Sequence, residues 1–253
     1  MKKANILATL LIKNKTYEVN IKLDEHTAYI DGGRFGDIKL NKTPLVTATV
    51  YNVKTKETVE ISSISGFEKI RYSDDKLYKK FYFENPENIT GLTIVLDCYI
   101  DDGGLSWEIH VCNDSDEWSV MKVGYPVPEV TAPEYDLFLP YTCGKVVNDA
   151  GNARIDDNYN YLGLQITMGY FAAYGTTSGI YLGIEDELAA AKEFIIKSGE
   201  GSTSISANFF AINAGNSGNS FSAYGLSRWQ YFKGDWYDAT MIYADFVKKK
   251  AKW

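Results

Sequence analysis

The chain is short of histidine and cysteine. Its 253 residues include two histidines, His26 and His110, and three cysteines, Cys98, Cys112 and Cys143. Three is an odd number, and no two of the cysteines stand at CxxC spacing. That argues against a disulfide framework and against a cysteine-based zinc site. Two isolated histidines supply little material for a histidine-dependent triad or a multi-histidine metal centre. No metal and no cofactor is therefore expected. Nucleophile-elbow, Walker and metalloprotease patterns are also missing. No apolar run approaches the ~20 residues of a membrane span, so no membrane partner is expected. Positive charge is scarce: 26 Lys and Arg stand against 33 Asp and Glu, a net charge of −7. An acidic chain repels phosphate backbones, and nucleic acid is not expected as a partner. The run Lys248-Lys249-Lys250 is terminal and fits helix-end charge. At the N-terminus two lysines precede an apolar stretch, but Ile6 to Ile12 is interrupted by Thr9 and no small-residue cleavage site follows. A first strand and a cytoplasmic location are expected, not a secretory signal.

Aromatic residues are abundant. They make up 14% of the chain, with 19 Tyr, 12 Phe and 5 Trp. Such rings suit half-buried pleated surfaces and dominate core energetics; a sugar face would use them too, but packing accounts for most of them. Hydrophobic residues at 45% and charged residues at 23% match a packed globular core. Alternation with period two recurs along most of the length. Tyr17, Val19, Ile21 and Leu23 lie two apart, as do Leu92, Ile94, Leu96, Cys98 and Ile100, and then Leu105, Trp107, Ile109 and Val111. The last two runs, joined by Asp101-Asp102-Gly103-Gly104, predict a hairpin. Asp31-Gly32-Gly33 predicts another turn. Further strands are expected over 46–51, 58–62, 77–83, 163–171 and 179–184. Many strands separated by turns predict a mainly β fold, a large antiparallel sandwich, and no βαβ units.

Two stretches depart from that pattern. Residues 126–160 are rich in Pro, Asn, Asp and Gly and predict a long loop. After Gly234, the residues Ala239, Ile242, Tyr243, Phe246 and Val247 fall on one face at helical spacing. Asp235 or Asp238 can serve the start of that helix, and the lysines favour its end. Ala189-Ala190-Ala191 raise a second, short helix over 186–194, against which Phe194-Ile195-Ile196 favour a strand.

Candidate chemistry is sparse. Alternation sets His110 opposite to Trp107, Ile109 and Val111, a solvent-facing strand histidine. Asn113-Asp114-Ser115-Asp116-Glu117 carries oxygen ligands but lacks the glycine and distal Glu of a calcium loop, so it reads as a solvated turn. Glycoside hydrolysis needs two carboxylates, one to protonate the leaving oxygen and one as nucleophile or base. Among 33 acids, only Glu185-Asp186-Glu187 after an apolar strand invites inspection. No acid and base can be named, and the catalytic residues are left unassigned.

Three segments together resemble a known family. Trp107-Glu108-Ile109-His110-Val111-Cys112-Asn113, followed by a strand ending Val123-Gly124-Tyr125-Pro126, is similar to the "strand, Asn, strand, aromatic-Pro" signature of the galactose-mutarotase-like β-supersandwich. Ser178-Gly179-Ile180-Tyr181-Leu182-Gly183-Ile184-Glu185-Asp186 resembles a strand of glycosidase-like proteins grouped through a domain of unknown function; Glu185 stands where that group often has His. Phe232-Lys233-Gly234-Asp235-Trp236-Tyr237-Asp238-Ala239, a Tyr-containing helix and Trp253 resemble the group's segment leading into a (β/α)8 barrel. The resemblance spans roughly 92–253. It implies a β-supersandwich over 1–233 and a linker helix over 234–253 leading toward a barrel absent from this chain.

The family's acid and nucleophile sit on barrel strands, so this chain alone is expected to have no activity and to support a catalytic barrel in a glycoside hydrolase. Carbohydrate is the ligand implied, with Trp229, Asp235, Trp236, Tyr237 and Asp186 as candidate contacts; ahead of that role for Trp236 stands a structural one, plugging the helix onto the sandwich. Two alternatives stand beside this. One is a mutarotase-type sugar epimerase, which needs a Glu with His partners and fits two isolated histidines poorly. The other is an interaction module without a small ligand, docking through the helix after Gly234.

Overall fold

The computed structural model describes residues 8–161 and 166–252. Among the described residues, two large antiparallel sheets of twelve and ten strands face each other, and one helix, Trp236–Lys250, follows the last strand. The mainly β expectation is met. Ala8–Lys13 pairs with Tyr17–Leu23 at the edge of the larger sheet, so the N-terminal strand is present from Ala8; residues 1–7 lie outside the described residues. That sheet continues through Ala28–Phe35, Ile38–Leu40, Glu129–Thr131, Ser202–Phe210, Trp118–Gly124 and Thr47–Asn52 to Thr58–Ser62. The second sheet runs Lys145–Val147, Asp136–Leu139, Tyr170–Tyr174, Ser178–Glu185, Leu226–Lys233, Gly104–Asn113, Leu92–Ile100, Tyr78–Pro86 and Phe67–Asp74.

The period-two residues meet between the sheets. Val19, Ile21, Ile94, Leu96, Trp107, Ile109 and Trp229 all belong to one buried cluster. Trp107 meets Trp229 edge-on with centroids 5.6 Å apart, one of the arrangements aromatic pairs prefer. The predicted hairpin forms between Leu92–Ile100 and Gly104–Asn113, in register from Leu92 opposite Asn113 to Ile100 opposite Leu105. Its turn needs glycine at 104, because a Cβ there would lie 1.9 Å from the Trp229 carbonyl oxygen.

The helix predicted after Gly234 is present, and its cap follows from its first residues. The Asp235 carboxylate accepts from the Tyr237 N–H at 2.8 Å, and the Asp238 carboxylate accepts from the Asp235 N–H at 3.1 Å. This reciprocal pair satisfies two of the helix's orphan donors. Ala239, Tyr243 and Phe246 are buried against Phe138, Tyr170, Tyr181 and Phe232, on the side of the second sheet away from the main core. Tyr170 stacks on Tyr243 at 5.0 Å and on Tyr181 at 5.4 Å. Burial of each such side chain contributes about 1.5–3 kcal/mol. The helix is thereby fixed over one half of that face and leaves the other half open. It is too short to cross a membrane, and no described helix is long and apolar enough to do so.

Three expectations are corrected. Asp31-Gly32-Gly33 is not a turn but lies inside the strand Ala28–Phe35, where the register against Tyr17–Leu23 shifts between Asn20 and Ile21. Residues 126–160 are not one long loop but carry the strands Glu129–Thr131, Asp136–Leu139, Lys145–Val147 and Ile155–Tyr161. The first three are too short for alternation to register, and the Asn and Asp residues close their turns: Asn148 Nδ2 donates to Asp136 at 2.8 Å. No helix forms over 186–194. The Asp186 carboxylate accepts from the backbone N–H groups of Leu188 and Ala190, and Ala189 adopts φ 51°, a left-handed turn. The chain then enters the strand Lys192–Gly199, which suits Phe194, Ile195 and Ile196. Of the strand expected over 163–171, only Tyr170 and Phe171 fall in a strand, Tyr170–Tyr174; Ile166 makes isolated bridges, 167–169 are not strand, and residues 162–165, like Trp253, lie outside the described residues.

Candidate functional site

The half of the second sheet that the helix leaves open carries a lattice of polar side chains. Because Leu92, Ile94, Leu96 and Cys98 point to the core, Asp97 and Tyr99 must point outward, as must Ser106, Glu108 and His110 on the paired strand. Register sets their neighbours. Asp97 lies opposite Glu108 on one side and Lys80 on the other, and Tyr99 lies between Ser106 and Tyr78. His110 lies opposite Ser222. Arg228 lies between Ser106 and Gly183, and Glu185 opposite Leu226.

Hydrogen bonds tie the lattice together. Arg228 holds Asp101 with two nitrogens, at 2.6 and 2.9 Å, and donates to Ser106 at 3.1 Å. Burial works against the ionised form of Asp101, yet the guanidinium and the N–H groups of Gly103 and Gly104 keep its carboxyl below the usual range. Asp97, almost fully buried, accepts from the Tyr78 hydroxyl and has the Lys80 ammonium 3.3 Å away. His110 Nδ1 is 2.7 Å from the Ser222 hydroxyl, and its Nε2 is 3.3 Å from Asp97. Tyr99 donates to Glu108 at 3.2 Å; burial, then the charge of Glu108, pushes the Tyr99 hydroxyl up to about 12.

Beside this lattice a cavity of about 270 Å³ opens between the end of the helix and the sheet, lined by Glu108, Glu185, Asp186, Tyr224, Phe246 and Lys250 among others. Burial raises the Glu185 carboxyl above its ordinary value, with Arg228 and Lys250 pulling the other way. A carboxyl with raised affinity for its proton, beside a carboxylate that accepts and a guanidinium that donates, offers partners of both kinds to hydroxyl groups. That chemistry suits a polyhydroxylated ligand.

The five candidate contacts do not converge. Trp229 is 1% exposed and sealed in the core against Trp107, so no ring face is left for a sugar. Asp186 is equally enclosed, 2.8 Å from the Lys192 ammonium, and its oxygens serve the 188–190 turn. Asp235 caps the helix. Trp236 stacks on Phe138 at 6.0 Å and stays 41% exposed, so it both plugs the helix onto the sheet and keeps a free face. With Asp235 it lines a hollow of about 610 Å³ at the start of the helix, together with Asp136, Asn148 and Tyr174. Tyr237 is 57% exposed and stands edge-on to Trp236. His110 faces out from its strand as expected, and Asn113 orders the turn after it by accepting from Ser115 N and donating to the Trp118 carbonyl. What single-residue reading missed was the company His110 keeps. The hairpin register would have set Asp97 opposite Glu108; Arg228 and Ser222 arrive from more than a hundred residues away and left no such signal.

No family model and no curated relative matches the chain. Solved structures do match its fold. An α-N-acetylgalactosaminidase of Bifidobacterium bifidum, in a quadruple-mutant form, superposes with a TM-score of 0.66 at 10% identity over 95% of this chain and 39% of its own. A GH36 α-galactosidase of Geobacillus stearothermophilus gives 0.61 at 10% identity over 96% of this chain and 43% of its own. A candidate aldose 1-epimerase of Escherichia coli K12 gives 0.58 at 7% identity, over 90% of this chain and 99% of its own. The chain thus spans about two-fifths of the two hydrolases and nearly all of the third protein. At these identities the likeness concerns the fold alone, and the fold is the galactose-mutarotase-like β-sandwich.

Proposed function

We propose that this chain is a noncatalytic β-sandwich domain of a glycoside-hydrolase-like protein, supporting a catalytic barrel and contacting carbohydrate on the outer side of its second sheet. The observation that carries it is the superposition on two glycosidases over 95–96% of this chain but only 39–43% of theirs. In this reading residues 1–233 form the platform, and 234–253 connect it to the barrel, which contributes the reacting carboxylates. A cytoplasmic setting goes with it. The sugar contacts are Glu108 and Glu185 in the cavity beside the helix and Trp236, with its free ring face, at the helix start. Calorimetry of the chain with a panel of galactose, N-acetylgalactosamine and their oligosaccharides tests the contact. Weak, saturable heat that disappears in Glu185→Ala or Trp236→Ala is expected. No heat at millimolar sugar removes carbohydrate from the proposal.

A second reading has one observation in its favour. The same fold makes up 99% of the candidate aldose 1-epimerase, and Glu185 is a carboxyl with raised affinity for its proton beside Arg228. Mutarotation needs such an acid or base poised by the sugar ring. Polarimetry on freshly dissolved galactose or glucose decides between the two: a rate above buffer that Glu185→Gln abolishes selects the epimerase.

A further inference from the structure

Asp97, Glu108 and His110 offer three ligand atoms that all lie within 4.8 Å of one another. Their arrangement has an order that charge alone does not require. His110 Nε2 lies 3.3 Å from Asp97 Oδ2 and 3.8 Å from Glu108 Oε1. The opposite atom of each is held by a hydroxyl from a different strand. Tyr78 donates to Asp97 Oδ1, Tyr99 donates to Glu108 Oε2 at 3.2 Å, and the Ser222 hydroxyl meets His110 Nδ1 at 2.7 Å. Outer hydroxyls that orient each ligand are what metal sites use to set ring tautomer and carboxylate direction.

We infer that Asp97, Glu108 and His110 form a binding site for a first-row divalent cation of the zinc type. A tetrahedral zinc with bonds of about 2.0–2.2 Å sets its ligand atoms roughly 3.4 Å apart. The 3.3 Å between His110 Nε2 and Asp97 Oδ2 is such an edge, and it is longer than the usual N–H···O hydrogen bond. The edges to Glu108, 3.8 Å from His110 Nε2 and within 4.8 Å of Asp97, close by a turn of a side chain that is 34% exposed. Charge favours it as well. Two carboxylates face one ammonium, that of Lys80, which lies 3.3 and 3.4 Å from the two Asp97 oxygens; a net negative charge remains for a dication. One imidazole and two carboxylates suit zinc or manganese better than calcium, which prefers six or more oxygens. His110 and Glu108 are partly exposed, so the remaining position opens to water.

The test uses the full 253-residue chain without a polyhistidine tag. Cobalt(II), followed by its visible absorption, and zinc, by competition with a chelating dye, are titrated into the wild type and four variants. One cation per chain is expected. Affinity should fall at least about 100-fold in His110→Ala and about 10-fold in Ser222→Ala or Tyr99→Phe, which touch only the outer hydroxyls; His26→Ala should bind as the wild type does. The far-ultraviolet spectrum of each variant confirms folding, and Ser222→Ala, a surface change, decides the matter where His110→Ala does not fold. Absence of saturable cobalt or zinc binding at millimolar metal overturns the site, as does binding that survives both His110→Ala and Ser222→Ala unchanged. Neither result bears on sugar binding at Glu185 and Trp236, and Glu108, which the two proposals share, is altered in none of the variants.

Discussion

Replacing Lys192 with methionine should be among the most damaging single changes in this protein. Lys192 is 1% exposed at its side chain, its ammonium 2.8 Å from Asp186 and 2.6 Å from the Ala190 carbonyl, with the Tyr161 ring centroid at 4.1 Å. Methionine fills the volume but leaves the Asp186 carboxylate, itself 3% exposed, without its counter-charge. Breaking a buried pair from one side costs about 3–5 kcal/mol, and two backbone N–H bonds that Asp186 keeps argue for the lower part of that range. For a chain of this size, where 1 kcal/mol moves Tm by roughly 2–4 °C, a drop on the order of 6–15 °C follows. Asp186→Asn should also destabilise, but the double variant should cost about 2 kcal/mol less than the sum, since neither charge is then stranded. Urea unfolding of the four proteins measures the cycle. Burial lowers the Lys192 pKa despite the pull of Asp186. Between that lowered value and 10.5 the unfolded chain binds more protons, so wild-type stability should rise with pH there, and Lys192→Met should flatten the rise. A single-variant cost under about 1 kcal/mol, the range of exposed pairs, or strict additivity would refute the reasoning.

Asp235→Ala should cost about 1 kcal/mol through loss of the helix cap, within the 0.5–2 kcal/mol such changes show; sugar affinity lost with stability intact would reassign the residue to a ligand. Glu185→Gln should stabilise the protein at neutral pH. Its folded carboxyl holds the proton more tightly than the unfolded one, so stability falls as pH rises from 4.5 through the raised folded value, and melts from acid to neutral pH should show that fall in the wild type and not in the variant. Ala239→Leu, at a position 0% exposed under the helix, should cost about 1–3 kcal/mol by overpacking and shift Trp236 emission toward that of a solvated indole. Unchanged emission and Tm would mean the helix is not held against Tyr170 and Tyr181.

Much of the framework was legible before any coordinate. Period two in Leu92–Ile100 and Gly104–Asn113 told core face from open face, and helical spacing after Gly234 located the helix, because side-chain direction follows locally from backbone conformation. The alanines at 189–191 misled because helix propensity is a weak preference, and two hydrogen bonds to Asp186 outweigh it. Trp229 and Asp186 stood out as sugar contacts on residue type, yet residue type does not say which side of a sheet closes over a ring or a carboxylate.

Sequence alone therefore determined the longer alternating strands, their two faces and the capped helix, each of which depends on neighbours a few residues away; the short strands of 129–147 carry too little alternation to be read that way. Only the tertiary structure decided that Ser222 and Arg228 stand beside His110 and Asp101, and that the helix covers one half of the outer face and bares the other. Those juxtapositions join residues more than a hundred positions apart. They depend on strand order and on burial of rings from many elements at once, which no local pattern encodes.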